Sequence, residues 1–459
     1  MSDPIVGFIA AVAVTLAVCH ALGTGLHRWL RQPPVIGEML GGLLLGPSLF
    51  GILWPAGRAF LFGPAVLAIL TPVAQLGLVT FMFLTGLELR AARRDAEVSR
   101  RAGTDGSPDT AAGRRWRNGP GSLAIRVAGA MGLPFLAGVV LAVGFRSDLA
   151  GPYGGRLPYV LFLALALSIT ALPVLARILA ESRIGGTRLG DAALACAGVG
   201  DGIAWAVLAV ILVLAHGGGA SAVRSAIGVA VLLLVSVLAI RPALARLVAW
   251  AGEGEDRDRY LVPVLLAGAY GYAAITKLTG LDAIIGGFLF GVLVPAGTGP
   301  IARFAGQMRG YVLVVLLPLF FAGVGLSTRV GAIGSWHGWL VLAVILAVAV
   351  AGKLGGAAGA ALVTGTPPRE ALMFGTLMNC RGVTELAVAT IGYAQGFVDA
   401  TAFTMLVLVA LVTTAATVPL LDVLDRRAGG PIAGVGIVPV TATAIAGVAR
   451  AQMSTATDR

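Results

Sequence analysis

From Pro4 to Leu424 the chain is an almost unbroken succession of apolar runs, each near the ~20 residues that a helix needs to cross the hydrocarbon core of a bilayer. About thirteen such runs can be marked at this length, over residues 4–26, 34–53, 64–88, 123–145, 158–180, 190–215, 222–248, 260–279, 281–296, 311–327, 337–363, 369–395 and 400–423. Composition removes the soluble alternative. Hydrophobic residues make up 58% of the 459 and charged residues 12%, about half of the ~25% usual for soluble domains. The chain is therefore expected to be an all-α polytopic membrane protein with one transmembrane domain over residues 1–427. The polar stretch 90–121 reads as a flexible cytoplasmic loop. The Gly-, Ala- and Thr-rich tail, 428–459, reads as disordered and too short for a regulatory domain.

A net charge of +11 raises the question of nucleic acid. The arginines answer it, because they fall in short segments between apolar runs and build no continuous basic face. With thirteen spans, one side receives Arg28, Arg31, the arginines from Arg90 to Arg117, Arg183, Arg188, Arg241, Arg246, Arg257, Arg259, Arg303, Arg309, Arg369, Arg426 and Arg427. The other has little beyond Arg58, Arg146, Arg156, Arg224 and Arg329. The positive-inside rule then places the N-terminus outside and the C-terminus in the cytoplasm. The N-terminal run lacks a basic n-region and a cleavage site, so it reads as the first span. Cys19, Cys196 and Cys380 lie inside apolar runs with no metal spacing.

The ionisable groups read as intramembrane are few: Glu38, Asp201, Lys277, Asp282, Lys353, Arg381 and Glu385. Asp201 stands alone between Ala192 and Ala215. An ionised aspartate at the centre of a span costs roughly 2.5–3.5 kcal/mol on insertion scales, which makes it a functional suspect. Lys277 and Lys353 are the only lysines in the chain. Lysine can lose its proton when buried and guanidinium in practice cannot, so their retention points to a switchable role. Lys277 can also snorkel from a helix end, and it can compensate Asp282. Arg381 and Glu385, spaced i,i+4, can neutralise each other.

Two runs carry helix breakers in mid-span. "LSITALPVLARIL" (167–179) holds Ser168, Thr170 and Pro173, and "GTLMNCRGVTELAVA" (375–389) holds Asn379, Arg381, Gly382 and Thr384. Unwound backbone persists at membrane depth only where protein or a water-filled cavity satisfies it. Interrupted spans at corresponding places in two halves point to inverted repeats that cross near the midplane. Two ordinary kinks are the alternative. "GGLLLG" and "GVGDG" lie within spans and form no nucleotide loop, so neither enzyme chemistry nor a cofactor is expected.

Five segments, "RQPPVIGEMLGGLLLGPSLFG" (31–51), "LGLVTFMFLTGLEL" (76–89), "LSITALPVLARILAESRIGGTRLGDAAL" (167–194), "LLPLFFAGVGLSTRVG" (316–331) and "EALMFGTLMNCRGVTELAVATIG" (370–392), resemble the monovalent cation–proton antiporter superfamily. The resemblance is to its second branch, with bacterial potassium-efflux and plant cation/H⁺ exchangers. It implies a thirteen-span inverted-repeat fold with two crossing broken helices, a dimerisation domain, a mobile core and a homodimer in the cell membrane. It also implies an essential acid on the sixth span, matched by Asp201, and a basic partner on the eleventh, matched by Lys353. Three departures stand out: Gly200 where relatives carry Asp, Asn or Gln; Lys277 and Asp282 where an acid and a histidine are expected; and no nucleotide-binding domain.

The expected activity is exchange of Na⁺ or K⁺ for H⁺ at Asp201, electroneutral because Gly200 leaves one carboxylate. Thr170, Ser168 and backbone carbonyls are expected to complete the site. Pro173, Asn379, Arg381, Gly382, Thr384 and Glu385 are expected to support the broken helices, and no metal beyond the transported ion is called for. An uncoupled channel or sensor, or a carrier of an organic cation or metabolite, stays open on sequence alone.

Overall fold

The computed structural model describes residues 4–30, 32–101, 120–152, 156–182, 184–185, 187–215, 220–251, 255–279, 281–295 and 299–426. Among these the chain is helical throughout, apart from an isolated bridge between Ala150 and Val398. The α-helices of ten or more residues are α1 (Pro4–Leu30), α2 (Pro34–Leu45), α3 (Pro64–Arg101), α4 (Pro120–Gly144), α5 (Arg156–Ser168), α6 (Leu172–Glu181) and α7 (Arg188–Ala215). After these come α8 (Ala220–Val235), α9 (Arg241–Ala251), α10 (Glu255–Leu278), α11 (Ala283–Leu293), α12 (Gly299–Tyr311) and α13 (Leu317–Ser327). The last four are α14 (Trp336–Val363), α15 (Pro368–Met378), α16 (Val383–Ala394) and α17 (Ala400–Arg426). π-Helical turns at Ser236–Ile240 and Val312–Leu316 join α8 to α9 and α12 to α13. Eleven helices among the described residues are long and apolar enough to cross a membrane, with the shorter apolar Ala283–Leu293 and Val383–Ala394 beside them.

One sequence expectation is corrected here. Residues 90–101 are not loop; α3 carries them as a helix to Arg101. Their run "RAARRDAEVSRR" is dominated by Arg and Ala, strong helix formers that propagate a helix without an apolar periodicity. The remainder of the 90–121 loop up to residue 119 and the 428–459 tail lie outside the described residues.

The helices pack in a pattern that occurs twice. α1 packs on α2 as α10 packs on α11; α2 meets α13 as α11 meets α3. α4 lies on α5 as α14 lies on α15, and α6 on α7 as α16 on α17. This is the inverted-repeat architecture, and it divides the molecule into two packed groups. α4–α7 and α14–α17 form one, which holds both broken passes. α1–α3 and α10–α13 form the other.

Glycines set how closely the second group can pack. In α2, Val35-Ile36-Gly37 is followed by Gly42; in α11, Ile284-Ile285-Gly286 is followed by Gly291. A Cβ on Gly42 would stand 2.3 Å from the Phe321 carbonyl oxygen of α13, and one on Gly291 2.2 Å from that of Phe83 in α3. Gly37 and Gly286 likewise sit against the backbone of the preceding helix, Gly23 and Ala273. Such approach is the small-residue packing by which helices associate in lipid, where burial from water supplies no drive.

Adding one methyl at Gly291 therefore forces α3 and α11 apart, at about 1–3 kcal/mol. Gly291→Ala is expected to lower the melting temperature in detergent. Gly359→Ala, in α14 where an added Cβ meets nothing within 4 Å, is expected to leave it unchanged or slightly raised.

Candidate functional site

The two broken passes cross in the middle of the first group. Pro173 stands in the first turn of α6, where its missing N–H costs nothing, and it cannot continue α5. The other break comes at Asn379, which caps α15, and resumes after Gly382. A Cβ on Gly382 would be 2.6 Å from Val174 Cγ2, so a glycine is what lets the two breaks touch. Across the contact the Ala171 N–H donates to the Cys380 carbonyl at 3.0 Å, and the Thr170 hydroxyl donates to the Met378 carbonyl at 2.9 Å.

Four half-helix ends meet here, two with free carbonyls and two with free N–H groups. The carbonyl end of α5 is held by two buried cations. The Arg381 guanidinium donates to Ala166 O at 3.2 Å and Leu167 O at 2.7 Å, and to Glu385 Oε1 at 2.6 Å. Arg381 and Glu385 thus form the pair that their spacing predicts, with both side chains at 0% exposure. Lys353, also fully buried, donates from Nζ to the Ser168 carbonyl and, at 2.6 Å, to Thr170 Oγ1. Thr414 on α17 closes the second break, since its hydroxyl donates to Arg381 O at 2.6 Å and accepts from Arg381 N at 2.9 Å.

Asp201 lies at the middle of α7, 2% exposed, and both of its carboxylate oxygens are buried without a hydrogen-bond partner. The Leu172 N–H at the start of α6, the Thr384 hydroxyl at the start of α16 and the Lys353 charge are the groups that act on it. It therefore faces the positive ends of two half-helix dipoles. The Thr384 hydroxyl and the Asn379 side-chain oxygen are likewise buried without partners. A monovalent cation needs such oxygens.

The structure departs from three sequence expectations at the site. No ion pair joins Lys353 to Asp201, because the ammonium is drawn to the carbonyl end of α5. The Ser168 and Thr170 hydroxyls, expected as cation ligands, are engaged: Ser168 Oγ donates to Leu165 O at 2.9 Å, and Thr170 Oγ1 bridges Lys353 and Met378. Lys277 and Asp282 do not compensate each other. Lys277 is exposed in the last turn of α10, while Asp282 caps α11, its Oδ1 accepting from Ile284 N at 3.0 Å. Chain geometry decides this, for an N-cap carboxylate turns back onto its own helix.

Sequence reading also missed two arginines inside the spans. Arg126 is buried on α4 and donates to Thr364 Oγ1 at 3.0 Å; Arg177 on α6 lies 3.9 Å from the buried Glu38 of α2. Neither arginine stands out in the sequence, because a long side chain can reach a polar partner from within an apolar run.

Two clefts approach the crossing between the two helix groups. One, about 210 Å³, is lined by Phe81, Leu84, Thr85 and Glu88 of α3, Pro173, Ala176 and Arg177 of α6, and Arg309 of α12. The other, about 170 Å³, lies among Thr71, Gln75 and Leu78 of α3, Asp282, Phe320 and Ser327, and Thr390 of α16. Each is bounded by one half-helix of the crossing. Along α3 they end at Phe81 and Leu78, about 4.5 Å of helix rise apart.

Comparison with known proteins agrees with this architecture. A sequence profile described as "Sodium/hydrogen exchanger, transmembrane" matches residues 13–423. Cation/H(+) antiporter 15 of Arabidopsis thaliana is 35% identical over 399 residues, which cover 86% of this chain and 45% of the plant protein. Na(+)/H(+) antiporter NhaS4 of Synechocystis is 32% identical over 416 residues, 90% of this chain and 95% of that one. K(+)/H(+) antiporter 1 of Saccharomyces cerevisiae is 28% identical over 437 residues, 91% of this chain and 46% of that protein. This chain thus spans about half the length of the plant and yeast relatives. Among solved structures, the sodium proton antiporter MjNhaP1 of Methanocaldococcus jannaschii superposes with a TM-score of 0.59 at 14% identity, over 93% of this chain and 98% of that one. With its repeated helix pairs, its crossed broken passes and a profile match across the whole helical region, the chain belongs to the sodium/hydrogen exchanger family.

Proposed function

We propose that the protein exchanges a monovalent cation, Na⁺ or K⁺, for H⁺, with Asp201 as the site that the two ions share. The observation that carries this is the Asp201 carboxylate itself: buried, without a hydrogen-bond partner, at the crossing of two broken passes whose half-helices α6 and α16 each line a cleft. An ionised carboxylate left bare at this depth is costly, and either ion cancels its charge. One occupant excludes the other, which couples their movements. The relatives named for Na⁺/H⁺ and K⁺/H⁺ exchange support the ion class.

In this reading the molecule makes thirteen passes: the eleven long apolar helices together with the two shorter ones. The N-terminus lies outside and the C-terminus in the cytoplasm, so the Asp282 cleft opens outward and the Arg177 cleft inward. The α4–α7 and α14–α17 group moves against the other, in a homodimer at the cell membrane. Alternating access then needs only a small shift, given the thin barrier on α3.

The buried charges bear on stoichiometry. Lys353, Arg381, Glu385 and an ionised Asp201 sum to zero, and a bound proton or a bound Na⁺ or K⁺ each brings the sum to +1. Lys353 donates to Ser168 and Thr170 and forms no ion pair with Asp201, and in this reading it keeps its proton when the cation arrives. Both occupied forms then carry the same charge, and the exchange is electroneutral.

Asp201→Asn keeps the side-chain shape and removes the charge. In everted membrane vesicles it is expected to abolish the recovery of an imposed pH gradient on adding Na⁺ or K⁺; near-normal recovery would contradict the shared site. In proteoliposomes with balanced ion gradients, an imposed potential of 100 mV is worth about 2.3 kcal/mol per charge moved. It is expected to drive no proton flux through the unsubstituted protein, whereas a flux that follows its sign would show that Lys353 also titrates.

A further inference from the structure

We infer that Asp282 is a capture site for the cation at the mouth of the cleft opposite Arg177, and that the protein therefore admits cations more readily from that side. The inference rests on the exchange reading given above and concerns a residue apart from the crossing.

The two clefts are quasi-equivalent. Phe81, Leu84, Thr85 and Glu88 line one from α3; Phe320, Gly323, Val324 and Ser327, with the same spacing on α13, line the other. Their charges differ. In the first cleft the charges are already matched, since Arg309 Nη1 stands 3.1 Å from Glu88 Oε1 and Arg177 stands 3.9 Å from Glu38. That mouth is no attractor for a cation.

In the second cleft Asp282 is the one ionisable side chain among the lining residues, and the polar groups around it are the uncharged Thr71, Gln75, Ser327 and Thr390. No described residue forms an ion pair with it, and Lys277, nearest in sequence, is exposed and forms none either. One carboxylate oxygen is used by the Ile284 N–H, which fixes the side chain, and the second is free. A half-buried carboxylate held rigidly in a cleft of about 170 Å³ keeps a focused negative potential where the cation enters. Thr390 belongs to α16, the half-helix that begins beside Asp201, so the cleft leads from Asp282 toward the shared site.

The test uses Asp282→Asn, because asparagine preserves the N-cap and removes only the charge. Cation-dependent proton exchange is measured in right-side-out and in everted membrane vesicles, with Na⁺ and then K⁺ as the probe ion. The expected result is a KM for the cation raised roughly tenfold from the Asp282 side, while KM from the opposite side keeps its wild-type value. Adding Ser327→Asp, which returns a carboxylate to the same cleft, is expected to restore much of the loss. An unchanged KM from both sides would reduce Asp282 to a helix cap and overturn the inference. So would an equal rise from both sides that Ser327→Asp leaves uncorrected. If the unsubstituted protein showed no cation-dependent proton flux, the exchange proposal would fall first and this inference with it.

Discussion

The structure depends on satisfying backbone that has left the helix at the centre of a bilayer. An unpaired carbonyl or N–H in hydrocarbon costs several kcal/mol, and two broken passes expose many of them. The chain meets this with groups from distant segments. Arg381 reaches back 214 and 215 positions to the carbonyls of Leu167 and Ala166, Lys353 takes that of Ser168, and Thr414 serves both backbone groups of Arg381. Each cation does what a water or a further helical turn would do elsewhere. Removing one leaves an open carbonyl and, for Arg381, an unmatched buried Glu385 as well.

This arrangement fixes what remains for Asp201. Were Lys353 bound to it, the carboxylate would be spent as half of an ion pair. With Lys353 committed to the end of α5, Asp201 keeps two oxygens free beside the N-terminal ends of α6 and α16. Two positive dipole ends hold a carboxylate in place without neutralising it. The groups that stabilise the fold thus leave one buried carboxylate without an ion-pair partner. Gly200 fits this arrangement. A Cβ there would meet Met131 Sδ of α4 at 3.3 Å, so the position faces a neighbouring helix and not open space.

Much of this was legible in the sequence, and for a consistent reason. Asp201, Lys353, Pro173 and the Arg381–Glu385 spacing stand out because each breaks a rule of the medium around it, and the penalty is local. What the sequence concealed is partnership. Nothing in "LVTTAAT" marks Thr414 as the support of Arg381, and Lys353 looks equally suited to Asp201 or to a helix end. The paired Lys277 and Asp282 failed because a capping aspartate folds onto its own helix. Gly37–Gly42 and Gly286–Gly291 share one spacing and one use, yet the repeat becomes visible only once α2 and α11 are seen to press on α13 and α3. The extension of α3 to Arg101 was hidden by reading polarity as disorder, although its residues are strong helix formers.

The central claim is that one carboxylate holds either a proton or a cation. Proton release on cation binding tests it without requiring transport. Purified protein in weakly buffered detergent solution, near the pH where exchange runs, is titrated with NaCl and with KCl against choline chloride, and the acid released is followed with a pH indicator. Competition at Asp201 requires protons to leave as Na⁺ or K⁺ binds, approaching one per cation as the starting pH is lowered. Cation binding without proton release at any pH would contradict the account.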